Sequence, residues 1–355
     1  MKRYGNLFEK IYDMDNLILA HHNAKKGKGW YQEVKMVDSN PEYYLGMLQQ
    51  MLINKTYHTS EYKTFIKHDS GKDREIFKLP YFPDRICQWA ILQIIEPILL
   101  NNLTKDTYSA IPGRGIHLCL NRLAEAVQHD VPGSQYCLKL DAKKFYPSIN
   151  HDILKMKYRR IFKDKDLLWL IDEIIDSTPG NTGIPIGNYL SQYSGNFYFS
   201  EFDHWIKEVK HVKYYFRYMD DIVILGSSKE ELHKLKDEVN EYFIKNLKLK
   251  IKENWQVFPT YVRGIDFVGY RTFMNFKLLR KSTCKQFKKK MTAINKKQIE
   301  GQEMNYSEWC SINSYKGWLI HCDSYRLSKK HIEPVQKFAD KYYLQNIYKK
   351  GGISS

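Results

Sequence analysis

The 355-residue chain carries 56 Lys and Arg against 40 Asp and Glu, a net charge of +16, with 43% hydrophobic and 27% charged residues. This composition excludes a disordered or fibrous chain, and the length suffices for two or three packed subdomains. So large a positive excess points to a polyanionic partner, nucleic acid first and an anionic membrane surface second. The six cysteines, Cys87, Cys119, Cys137, Cys284, Cys310 and Cys322, form no C-x-x-C pair, so neither a zinc site nor a disulfide framework is indicated. Reduced thiols in a cytoplasmic protein are the expectation. "MKRYGNLFEKIYDMDN" lacks a signal-peptide core, and the most apolar stretch, "AILQIIEPILL", is interrupted by Glu96 and Pro97 and too short to span a bilayer. The membrane alternative therefore falls away.

In chain order, residues 1–60 are expected to be largely helical apart from "NAKKGKGWYQEV", a polar connection able to touch phosphate. His21 and His22 lack a neighbouring ligand pattern and are taken as surface residues. Asn40 and Pro41 mark a helix start. "KHDSGKD" turns between two strand-like runs, and "RICQWAILQIIEPILL" has the period of a buried helix. "SAIPGRGIHLCLNRLAEAV" is a glycine-containing loop entering a helix, and "YCLKLDAKKFYPSI" opens as a strand ending at Asp141. Residues 151–177 are helical. "TPGNTGIPIGNYLSQ" is a loop, followed by an aromatic-rich helix to about Val209. "FRYMDDIVILG" is a hairpin carrying Asp220 and Asp221, and the helix "SKEELHKLKDEVNEYFIKNL" comes next. "GIDFVGYRTF" is a further hairpin. Residues 277–297 hold nine basic and no acidic residues, with Phe287, Met291 and Ile294 on one helical face. Strands scattered between helices imply an α+β fold.

Adjacent carboxylates in a hairpin turn repel each other. Asp141 ends an apolar strand 79 residues before Asp220. Were that strand to lie beside the hairpin, three carboxylates would converge at one sheet edge. Such a cluster calls for hard, oxygen-seeking cations such as Mg²⁺. A pair of such ions serves phosphoryl displacement.

"LKLDAKKFYPSI", "GIPIGNYLSQ" and "FRYMDDIVILG", in this order and spacing, resemble the palm motifs of reverse transcriptases. "KDREIFKLPYFPDR" and "IPGRGIH" resemble the family's upstream fingers motifs. "GIDFVGY" resembles its primer grip, containing Phe267, Gly269 and Tyr270. The resemblance implies a right-hand polymerase: N-terminal extension and fingers (1–135), a palm with an RRM-like antiparallel sheet and part of the fingers inserted (136–275), and a helical basic thumb (276–355). Asp141, Asp220 and Asp221 would be the catalytic and metal-binding acids, using two Mg²⁺ with Mn²⁺ able to substitute. A primer 3′-OH would attack the α-phosphate of a dNTP on an RNA template. Arg74, with Lys72 as a weaker candidate, would hold the triphosphate. Tyr146 falls where the family places a steric gate against the ribose 2′-OH. Gly187, Ser191 and Gln192 would support the template base and incoming nucleotide. Arg280, Lys281, Lys285, Lys288 and Lys289 would track a nucleic-acid backbone. A general-acid lysine is unassigned between Lys250 and Lys252.

Many reverse transcriptases have Gln where this chain has Ile186, and Ser-Pro where it has Ser191-Gln192. The "IGN..SQ" form is similar to diversity-generating retroelement enzymes, which copy a template RNA with errors at adenines and usually act with a small basic accessory protein. Antiphage-defence reverse transcriptases, some with template-independent or protein-primed synthesis, are the alternative. A non-catalytic RNA-binding scaffold is a third, disfavoured by the complete set of acids.

Overall fold

The computed structural model describes residues 3–69 and 72–348. It mixes helices with three sheets. The strands are β1 (Lys63–Asp69), β2 (Lys72–Lys78), β3 (Tyr136–Asp141), β4 (Tyr214–Tyr218), β5 (Asp221–Gly226), β6 (Gln256–Pro259), β7 (Ile265–Phe267), β8 (Tyr270–Thr272) and β9 (Lys277–Leu279). A four-stranded sheet has the order β4-β5-β3-β6, while β1-β2 and β7-β8-β9 form antiparallel sheets of their own. Strands β3 and β5 bury apolar runs (Cys137, Leu138, Leu140; Ile222 to Leu225), as expected of central strands covered on both faces. The chain divides into two compact units: Met1–Gly113, Lys139–Ile224 and His233–Gln256 form the first, and Arg114–Leu138, Leu225–Leu232 and Val257–Ser355 the second.

Several expected elements form as their local chemistry dictates. The Asn40 side chain accepts from Tyr43 N and caps Pro41–Ile53. The helix Ile86–Leu100 buries Ile91, Leu92 and Ile95. In the second unit the helix Lys281–Ile299 buries Phe287, Met291 and Ile294, the predicted stripe.

Other boundaries differ for physical reasons. The expected 151–177 helix is two, His151–Ile161 and Lys165–Asp176. Phe162 is extended and bridges Tyr4, and Asp164 caps the second helix at Leu167 N (3.1 Å) while also binding Leu7 N at 2.7 Å. The motif loop ends early, because Tyr189–Tyr198 is already helix, so Ser191 and Gln192 are helical rather than loop residues. Gln88 supplies the missing cap: its Oε1 accepts from Tyr189 N at 3.1 Å and Leu190 N at 3.4 Å. Residues Lys277–Leu279 form β9 instead of opening the basic helix. His21 is not at the surface. It is 5% exposed, with Tyr81 Oη 2.8 Å from Nδ1 and Asp38 Oδ1 2.9 Å from Nε2. All six cysteines are free thiols. No described helix is long and apolar enough to cross a membrane.

Candidate active site

A two-residue turn, Met219–Asp220, joins β4 to β5. Met219 has φ +57°, the left-handed region, which costs an L side chain roughly 1–2 kcal/mol. Primed hairpin turns need positive φ at their first central position and usually place glycine there. Here a methionine accepts the strain, and its carbonyl takes a hydrogen bond from Arg217 Nη1 at 2.9 Å. Arg217 and its partner Asp203 are both 0% exposed, with Nε–Oδ1 2.7 Å and Nη2–Oδ2 2.5 Å. Asn196, Thr107 and the Tyr215 hydroxyl complete this buried cage.

Strand β3 delivers Asp141 beside the turn. Ala142 N donates to Asp220 O (3.3 Å), and Lys252 N donates to Asp141 O (2.8 Å). The Asp220 carboxyl lies within hydrogen-bonding reach of Asp141, and its pKa is pushed up to about 7, by burial first and the Asp141 charge second. Asp221 opens β5, and its Oδ2 lies 3.6 Å from Nζ of Lys139, which shares a face of β3 with Asp141. Of the three expected acids, Asp141 and Asp220 are in direct reach of each other, and Asp221 stands beside them on the first residue of β5. Among the described residues no three His, Cys, Asp or Glu side chains already form a metal cage. The pair nonetheless fits a hard cation. Its donors are oxygens, Asp141 Oδ1 is buried without a hydrogen-bond partner, and Lys252 Nζ is drawn onto Asp141 Oδ2.

Tyr146 lies on the short helix Phe145–Ser148, and its carbonyl accepts from Ile184 N at 3.0 Å. A methyl on Gly195 would meet Phe145, Met219 and Tyr146 at 3.3, 3.6 and 3.7 Å, so this glycine lets Tyr146 and the acid turn share one helix surface. Ile186 O accepts from Phe77 N (2.9 Å), tying the motif loop to β2. Gly187 has φ +126°, and a Cβ there would sit 2.5 Å from Phe77 O, so only glycine fits. Ser191 is buried and Gln192 exposed. A cavity of about 270 Å³ beside Gly187 is lined by Lys28, Lys78, Arg85 and Gln88, among others. Gln88 is 2% exposed, and its Nε2 has no partner. Lys28 holds its proton less tightly than usual, through burial and then Arg85. Lys72 and Arg74 pair in register with Asp69 and Lys67, but their side chains lie outside the described residues.

A family model described as reverse transcriptase (RNA-dependent DNA polymerase) matches residues 66–272, more than half of the chain. The chain belongs to the reverse transcriptase family. Protein YkfC of Escherichia coli K12 is 21% identical over 250 residues, covering 59% of this chain and 65% of its own, so this chain spans just under two thirds of that relative. Among solved structures it is similar to telomerase from Candida tropicalis bound to a fragment of telomeric RNA (14% identity, TM-score 0.48, 87% of this chain and 58% of that one). It is also similar to the Candida albicans telomerase complex (11%, TM-score 0.48, 85% and 65%).

The reverse transcriptase candidates in the second unit are built differently. Phe267 and Tyr270, expected in the primer grip, are both 0% exposed and flank the turn Val268–Gly269 from within. Tyr270 stacks on Trp318 at 5.2 Å and donates to Trp318 O at 2.9 Å. Gly269 (φ +87°) lies against the Trp318 indole. Arg280 is the N-cap residue of its helix, and its Nε pairs with Asp266 Oδ1 at 2.5 Å, which leaves less of its charge for a phosphate. Lys281, Lys285, Lys288 and Lys289 are exposed on the helix.

Sequence patterns did not single out Arg217, Asp203 or Gln88. Arg217 was inside the quoted hairpin, and its position one turn-arm before the dyad was the available signal. Lys252, one of two unassigned lysines, is the one that reaches Asp141.

Proposed function

We propose that this reverse transcriptase extends a primer 3′-OH with dNTPs on an RNA template, and that Asp141 and Asp220 are its essential acids. The observation that carries this is the half-buried Asp141–Asp220 pair: burial first and the Asp141 charge second push Asp220 up to about 7, and Asp141 Oδ1 has no donor. A protein gains nothing in stability from such a pair, whereas a cation site requires it. Asp141 and Asp220, with Asp221 in support, would hold Mg²⁺, or Mn²⁺ in its place. When bound, two such ions neutralise charge on the transferred phosphoryl group and favour the ionised attacking oxygen.

The chain's own residues do the rest. Tyr146 presents a ring where a 2′-OH would need space. The Ile186–Gly187 backbone, pinned to β2, keeps the motif loop flush against the fingers hairpin. The unpaired Gln88 Nε2 and the crowded cations Lys28 and Arg85 favour the acceptor-rich template strand. Exposed thumb lysines suit the primer–template backbone. Ile186 supports an error-prone, diversity-generating role with a small basic accessory protein, because its side chain offers the nascent pair no hydrogen bond.

Primer extension with Mg²⁺ on a defined RNA template tests this. Asp220→Ala should lower dNTP incorporation about a thousandfold, equivalent to about 4 kcal/mol of barrier, while RNA binding stays near wild type. Incorporation by Asp220→Ala at near the wild-type rate would remove the site assignment.

A further inference from the structure

We propose that Arg217 is a positioning residue for Asp220, acting through the carbonyl oxygen of Met219; this rests on the polymerase assignment above. Each guanidinium donor has an acceptor. Nε takes Asp203 Oδ1 (2.7 Å), and Nη1 takes Asn196 Oδ1 (3.1 Å) and Met219 O (2.9 Å). Nη2 takes Asp203 Oδ2 (2.5 Å), with Thr107 Oγ1 (3.3 Å) and Asn196 O (3.4 Å) sharing its remaining proton. One face of the group lies 5.0 Å from the centre of the Phe199 ring. Asp203 is fixed in turn by the Tyr215 hydroxyl at 2.6 Å and Thr107 Oγ1 at 3.1 Å. Main-chain bonds from Arg217 N to Asp106 O and from Tyr108 N to Arg217 O, both 3.0 Å, hold the strand edge itself. The guanidinium has no room to rotate.

That rigidity has one outlet toward the site. Met219 is held at φ +57°, a conformation its side chain opposes. With its carbonyl gripped by a buried cation, Met219 would have to break that bond to relax to negative φ. Ala142 N grips the next carbonyl, that of Asp220, at 3.3 Å. The Asp220 Cα is therefore clamped between two fixed carbonyls, and its carboxylate is aimed at Asp141. Arg217 touches no reacting atom. A buried ion pair kept for stability alone is poorly justified, since apolar residues of similar volume usually serve as well. Holding a strained turn gives a reason for a cation here.

The test uses the full chain and follows primer extension, urea unfolding and Mn²⁺ affinity by calorimetry. Two substitutions remove the anchor: Arg217→Lys, which keeps the charge but loses the fork, and Arg217→Met with Asp203→Asn, which leaves no unpaired buried charge. Both should lower kcat about 100-fold, the usual consequence of a misplacement near 1 Å, with little change in KM for dNTP. Both should also weaken Mn²⁺ binding about tenfold, as expected if the carboxylate pair is no longer aligned. Asparagine tolerates left-handed φ, so in a Met219→Asn background the kcat loss from Arg217→Lys should shrink to about tenfold or less. An equal loss in both backgrounds, or unchanged kcat and Mn²⁺ affinity in the charge-free pair, overturns the proposal. A wild-type chain that makes no DNA defeats the polymerase assignment instead, and Mn²⁺ affinity alone then decides whether Arg217 positions Asp220.

Discussion

Two hairpin turns, one in each compact unit, hold a residue with a Cβ at left-handed φ: Met219 at +57° and Val268 at +43°. The first is restrained by charge. Arg217, Asp203, Asn196 and Thr107 form a buried polar cage, and the strain is opposed by directional hydrogen bonds. The second is restrained by packing. Trp318 lies against Gly269, Tyr270 stacks on Trp318, and the main chain adds one bond, Arg280 N to Gly269 O at 3.0 Å. A polar cage fixes direction, which a metal-binding carboxylate needs. Aromatic packing fixes shape, which would suffice for a loop with the primer-grip role expected of this turn. The two turns should therefore fail differently.

The largest difference is expected from removing the cage's anion. Asp203→Ala leaves the Arg217 guanidinium buried without a counter-charge, and should destabilise the fold by about 3–5 kcal/mol in urea unfolding. A loss below about 1 kcal/mol would mean that the cage is not what restrains the turn, and the contrast between the two hairpins would dissolve.

On the packing side, Gly269→Ala forces a methyl into the Trp318 ring while keeping φ at +87°. The expected cost is smaller, about 1–3 kcal/mol, because an indole can shift where a buried ion cannot be re-solvated. Its signature should be a raised KM for primer–template with kcat on saturating primer nearly unchanged. A fall in kcat alone would assign this turn a direct part in aiming the reacting groups.

Chemistry-bearing residues close together in sequence were the legible ones. Asp141 at a strand end, the dyad in a hairpin, and Gly187 in its loop could be found because each motif carries its own turn or strand signal. The stripe Phe287, Met291 and Ile294 was legible through period alone. Their supports were not. Asp203 sits in "SEFDHW", where an acid looks like an ordinary exposed helix residue, and its partners include Thr107, 96 residues away. Gln88 caps a helix 101 residues downstream, so the motif loop looked longer than it is. Strand β9 has only three residues and exists through its pairing with β8, which no local pattern announces.

Sugar choice probes the first unit without touching its cage. Tyr146 shares the Gly195 surface with Met219, so its ring is set by the same helix that contributes Asn196. Tyr146→Val should raise the ratio of rNTP to dNTP incorporation by about 10- to 100-fold, the range open to a pocket that excludes one hydroxyl by shape. Competition assays with matched nucleotide pairs measure it. An unchanged ratio would return Tyr146 to a packing role.

The smallest effect concerns fidelity. Ile186 is anchored through its carbonyl to Phe77 N, so its main chain is placed as firmly as the neighbouring glycine, while its side chain can neither donate nor accept. The nascent pair is then held by shape more than by polar contact. Adenine and uracil templates pair through two hydrogen bonds and depend more on such outside support than guanine or cytosine templates. Misincorporation should therefore be higher opposite adenine and uracil than opposite guanine and cytosine, and the proposed diversity-generating role puts the larger share at adenine. Ile186→Gln restores one hydrogen bond, worth about 0.5–1.5 kcal/mol, and should lower that error about 2- to 10-fold with little change opposite guanine or cytosine. Sequencing cDNA made from a defined RNA resolves the pattern. Errors spread evenly over the four template bases would remove the diversity-generating role and favour a defence enzyme. A correction by Ile186→Gln at the two-bond templates, largest at adenine, would tie the fidelity of this site to one side chain on an otherwise rigid loop.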